Sequence, residues 1–171
     1  MRKNNLLNPF TKPKMPDWLG QSILDGALPW EYAEDYTVEK FTETYTIQDS
    51  VWVTLSLNFE RNSSGILVIL WNYRYAYIAK PVSEGEKRTT FSSLPEYAIL
   101  IVKFEEIAEV LVRLSTEAWI MDNPIVDHEL RDRDGKKVWI ITDEFGGDIR
   151  IVFVGRTKVL ALDYDKQIIR I

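Results

Sequence analysis

The chain has 171 residues, a formal net charge of −5 and 46% hydrophobic residues, enough to pack one domain that buries about two-thirds of its unfolded surface. It contains no cysteine, which excludes disulfides, thiol nucleophiles and thiolate metal sites and fits a reducing compartment. The negative balance opposes nonspecific nucleic-acid binding, and no apolar run reaches the roughly 20 residues that span a bilayer, so a cytoplasmic protein without a membrane segment is expected.

Residues 1–15 are basic, with Arg2, Lys3, Lys12 and Lys14 among Pro9 and Pro13. Proline opposes helix and sheet alike, so this stretch reads as a flexible arm ahead of a single domain over 16–171. Asp17 then opens a short helix through Asp25, with Trp18, Leu19, Ile23 and Leu24 on its apolar side and Gly26 ending it. After that helix, Leu28, Pro29, Glu31 and Tyr32 resemble the opening of SUKH-type toxin-immunity domains. The resemblance covers those four positions; such domains usually continue helical, whereas strand-like sequence follows here. It implies an immunity-type function.

From Phe41 to Gln48, Phe41, Tyr45 and Ile47 alternate with threonines, which predicts a half-solvated strand. Val51 to Lys80 is the most strongly patterned segment. Val51, Val53, Leu55, Leu57 and Phe59 share one parity, as in a strand with one buried face. A polar reversal ending in Gly65 leads to the all-apolar run Ile66–Trp71, expected for an interior strand. Tyr73, Tyr75 and Tyr77 continue the parity of Trp71 if the strand runs through Asn72. Three hydroxyls in one stripe need partners if buried, so the aromatics point to a docking patch on an open sheet or to the lining of a closed barrel.

A short edge strand is expected near Lys87–Phe91 and a buried strand over Tyr97–Phe104. Phe104, Ile107, Ala108, Leu111 and Leu114 recur at helical spacing, predicting a helix over 104–116 with Glu109 and Arg113 as an i,i+4 pair. Residues 119–135 read as irregular and charged, closing in a hairpin turn at Asp134-Gly135. The last third predicts four meandering strands: Lys137–Thr142, Asp148–Val154, Lys158–Leu162 and Gln167–Ile171. Loops of a meander alternate between its ends, so Asp143, Glu144, Asp148, Asp163 and Asp165 should share one acidic rim.

These readings converge on an α+β domain dominated by antiparallel β-meanders. Ordinary turn chemistry explains the acids of the rim, since Asp bonds nearby amides; a docking surface for a basic protein partner is the functional alternative. Asp132-Asp134 lacks calcium-loop spacing, with Leu130 and Ile141 at ligand positions. His128 is the sole histidine, so it reads as an exposed loop residue with a mildly raised preference for charge; no assembled catalytic, metal or cofactor site is expected. The expected function is a non-enzymatic inhibitor or immunity-type protein that neutralises a protein partner. Asp143, Glu144, Asp148, Asp163, Asp165, Trp71, Tyr73, Tyr75 and Tyr77 are the candidate contacts. Two alternatives are a barrel-like small-molecule binder lined by the tyrosines and a metal-dependent hydrolase at the acidic rim.

Overall fold

A computed structural model describes residues 15–33, 36–60, 63–72, 97–114 and 124–171. Except for Met15, the basic arm lies outside the described residues, as do Tyr73, Tyr75, Tyr77 and the edge strand expected at 87–91. Six antiparallel strands form one sheet: β1 (Val51–Asn58), β2 (Ser64–Trp71), β3 (Ala98–Arg113), β4 (Ile125–Arg133), β5 (Lys136–Asp143) and β6 (Asp148–Leu162). Their spatial order is β1-β2-β3-β6-β5-β4, so the two longest strands lie together at the centre. The expected α+β class with a dominant antiparallel sheet is what the chain forms.

Each face of the sheet carries its own apolar cluster. On one face, helix α2 (Val38–Thr44) adds Val38 and Phe41 to a cluster with Ile69, Trp71, Leu100, Phe104, Ile151 and Val159 of the central strands. On the other, α1 (Asp17–Leu24) and a 3-10 turn (Trp30–Ala33) bury Leu19, Leu28 and Ala33 against Val68, Leu70, Ile99, Ile101, Leu160 and Leu162. None of the residues in this second cluster comes from β4 or β5. That half of the face is therefore not packed by α1.

Four expectations are corrected. The alternation over Phe41–Gln48 is not a strand: Val38–Thr44 is α2, capped by the Thr37 hydroxyl, which accepts from Lys40 N–H at 3.4 Å. Val38, Phe41 and Tyr45 are spaced for one helical face, and Glu43, which a strand would have buried, is exposed.

The helix expected over 104–116 is, through Arg113, the second half of β3. Its register against β6 shifts between Phe104 and Glu106 and again between Ile107 and Glu109. The first shift sets Gly155 and Arg156 of β6 opposite Glu105 alone, the second adds Ala108 to β3, and the inward side chains of β3 run Val102, Phe104, Ile107, Val110. Two bulges thus convert a period of two into successive steps of three, which imitates a helix. Glu109 and Arg113 are then not neighbours on a helix turn.

Gly155-Arg156-Thr157, expected as a turn between two strands, lies within the single 15-residue strand β6. Gly155 has φ +81° and, with Arg156, bulges opposite Glu105, between the pairs Phe104↔Thr157 and Glu106↔Val154. A glycine inside a strand marks a bulge as readily as a turn. Finally, 125–133 is a strand pairing with β5, with a register shift between Ile125 and Asp127, and Gln167–Ile171 returns along the end of β6 through one bridge, Leu162↔Ile168. The β4–β5 hairpin closes at Asp134-Gly135 as expected. Both residues have positive φ (51° and 76°), the geometry of a type I′ turn.

Gly65 shows how closely the elements meet. A Cβ there would lie 2.5 Å from Ile107 Cδ1 and 3.2 Å from Ser56 O, beside the bond from Ile107 N–H to Ser63 O at 2.9 Å. Gly65→Ala is expected to destabilise the fold by about 1–3 kcal/mol in urea denaturation. Ile107→Val removes the opposing methyl, so the same glycine substitution should cost measurably less in that background. Equal costs in both backgrounds would contradict the packing described.

Candidate interaction surface

Because β6 is continuous, the acids expected on one rim are divided. At about 3.3 Å per residue, its 15 residues separate Asp148 from Asp163 by roughly 45 Å. Asp143, Glu144 and Asp148 sit at one end of the sheet, and Asp163 and Asp165 at the other. Asp143 Oδ1 accepts from Phe145 N–H (2.9 Å) and Gly147 N–H (2.8 Å), and Asp163 Oδ1 accepts from Asp165 N–H (2.9 Å) and Gln167 N–H (2.8 Å). Both carboxylates are therefore engaged in building their turns. Asp148 is buried. Glu144 and Asp165 remain exposed, at opposite ends.

Trp71 is part of the core. It is fully buried, donates its indole N–H to Thr46 O at 2.8 Å and meets Phe41 edge-on at a centroid distance of 5.3 Å. Asn72, at which the sequence left a choice between turn and continued strand, follows the last residue of β2 and donates its N–H to Ser50 Oγ at 2.9 Å. The described strands form an open sheet with β1 and β4 at its edges.

The end formed by the β5–β6 loop is distinctive. Strand pairs Arg113↔Asp148 and Ile125↔Asp143 bring the last residues of β3 and the first of β4 beside residues 144–147. Of the nine large hydrophobic side chains exposed among the described residues, five lie on these segments, Leu111 and Val112 on opposite faces of β3 and Leu114, Val126 and Phe145 beyond or beside the strand ends. Leu114 is 67% exposed and Leu111 50%. Glu144, whose N–H donates to Pro124 O at 3.0 Å, is fixed next to them. Exposed apolar side chains gathered at one place, with charge beside them, are the usual mark of an interaction site.

Arginines accompany them. Asp148 takes hydrogen bonds from Arg113 and, at 3.2 Å, from Arg150. Burial pushes its carboxyl pKa up, but the bonds and charges of the two guanidinium groups outweigh that and hold it below its ordinary value. Neither arginine was read as a site residue from the sequence, because Arg113 was paired with Glu109 on an expected helix and Arg150 lay in an expected meander strand. The usable signal was the register: opposite charges facing each other across β3 and β6.

His128 is not an exposed loop residue. It lies on β4, on the α2 side, where Ile47 N–H donates to Nε2 at 3.3 Å and the Thr46 hydroxyl approaches Nε2 at 3.1 Å. The Trp139 indole N–H faces Nδ1 at 3.5 Å, with the rings edge-on at 6.3 Å. Protonation would remove the acceptor that Ile47 uses. Burial lowers the histidine pKa and exceeds the opposing effect of Asp127. The residue is a latch between β4 and the loop entering β1.

Leu28, Pro29 and Glu31, three of the four SUKH-like positions, line a shallow cleft closed by Lys166, Gln167 and Ile168. Among the described residues no group of three or more His, Asp or Glu side chains could hold a metal ion, and no helix is long and apolar enough to cross a membrane. No protein-family model, curated protein or solved structure matches the chain.

The depressed pKa of His128 sets a pH dependence. Below about pH 6.5 the unfolded chain binds a proton that the folded chain does not. Stability should therefore fall as pH drops from about 6.5 toward the folded pKa and level off below it. With one histidine in the chain, His128→Gln should flatten this part of the stability–pH curve. An NMR titration midpoint above 6.5 would contradict the latch geometry.

Proposed function

We propose that the protein is a non-enzymatic binding module for another protein and that it docks through the β3–β4 end of the sheet. Its most concrete form is an inhibitor of the immunity type, which neutralises one specific partner by covering it. The observation that carries the reading is that Leu111, Val112, Leu114, Val126 and Phe145 are all exposed at this one end of the sheet, on or beside paired strands. Rigid presentation limits the entropy lost on docking, and exposed aromatic and aliphatic side chains supply the buried centre that most interfaces require. Glu144 supplies an exposed carboxylate at this end, which suits a partner with a complementary basic residue and a salt-sensitive association rate.

The test begins with capture of partners on the full chain and continues with measured affinities for a purified partner. Leu114→Asp and Phe145→Asp should each weaken binding by about tenfold or more, a hot-spot effect of at least about 1.4 kcal/mol. Glu144→Lys should weaken it in a salt-dependent manner. Leu24→Asp and Tyr32→Asp, exposed residues away from this end, should leave it unchanged. A tight partner indifferent to the first three substitutions but sensitive to the last two would overturn the assignment.

A further inference from the structure

We propose that Arg113 and Arg150, held side by side by Asp148, form a receptor for a carboxylate side chain on an acidic, apolar-flanked segment of the partner protein, with Leu111 as the apolar half of the site. The inference rests on the reading that this end of the sheet docks a protein, and it adds what chemistry the partner brings.

Both guanidinium groups bond the same oxygen, Asp148 Oδ2. The Asp148 side chain is only 4% exposed, whereas those of Arg113 and Arg150 are 62% and 43% exposed. The carboxylate is thus a buried anchor, and both arginine side chains keep exposed surface beside it. Each guanidinium carries five N–H donors in a planar fork matched to a carboxylate. One arginine would neutralise Asp148; the second leaves a surplus positive charge, in a chain whose net charge is −5.

Two partly exposed guanidinium groups side by side favour an oxyanion as ligand. The surroundings favour one carried by a protein. Leu111 is the cross-strand neighbour of Arg150 and lies two residues from Arg113 on the same face, with half its surface exposed. An acidic residue beside an apolar one satisfies both halves, which a free anion does not. The nearby pair Glu129 and Arg131 on β4 bond each other, so that arginine already has its carboxylate.

The experiment is an NMR titration of the full chain with the capped peptide acetyl-Leu-Glu-Leu-Glu-Leu-amide, its counterpart with Gln for Glu, and inorganic phosphate. The Glu peptide should shift the signals of Leu111, Arg113 and Arg150 and bind about tenfold or more tightly than the Gln peptide, weakening as salt is raised. Arg113→Gln with Arg150→Gln should abolish that preference. If the double variant does not fold, Arg113→Lys alone, which keeps the charge and loses the fork, should reduce it. Binding of phosphate as tightly as the Glu peptide, or absence of peptide binding, would overturn the receptor. Equal binding of both peptides at Leu114 and Phe145 would overturn it too, while leaving the apolar docking end intact.

Discussion

The pairing of β3 with β6 is the constraint on which the rest of the molecule depends. These strands of 16 and 15 residues run antiparallel from Ile99↔Leu162 to Arg113↔Asp148. One half of the pair is sandwiched between α1 and α2; the other continues outward and carries β5 and β4 on its far side. The bulges let so long a pair keep apolar residues on the α2 face, because each extra residue resets the alternation before it fails. Without them, Ile107 and Val110 could not both face the core.

The same bulges explain how far the sequence could be read. The antiparallel class, α1, the interior strand β2 and the Asp134-Gly135 turn were legible because each rests on a local signal: a helical stripe, an all-apolar run, two residues suited to positive φ. The single buried face expected over Val51–Phe59 does not form, because the register shifts between Trp52 and Thr54, Val53 and Leu55 pack on different clusters, and Phe59 is exposed. The helix over 104–116 and the turn at 155–157 failed together, for one reason. The bulge at Gly155-Arg156 puts a glycine inside β6, which looks like a turn, and together with the one at Ala108 it changes the spacing of inward residues on β3, which looks helical. Only the pairing of the two strands distinguishes these cases, and pairing is not a local property. The strand expected over Phe41–Gln48 failed differently: threonine's strand preference was overridden by a Thr37 cap and the packing of Phe41 and Tyr45 on Trp71.

The candidate site was partly legible. Turn chemistry accounts for Asp143 and Asp163, as the sequence allowed, and Glu144 stands out as the exposed carboxylate beside the apolar end. That Asp148 is an anchor instead of a rim acid depends on Arg113 facing it across the sheet, which a helical Arg113 could not do. The exposed Leu111 and Leu114 were assigned to a helix face that would have buried them. On a strand end they become surface.

The continuity of β6 is therefore the most direct point of attack. Since the chain has no cysteine, Glu144→Cys and Asp165→Cys give two unique labelling sites. Pulsed electron spin resonance between nitroxides at these positions should show a distance of roughly 40–50 Å, the length of the uninterrupted strand. A distance below about 20 Å would mean that the chain turns at Gly155, and would contradict the long strand pair and the surface built upon it.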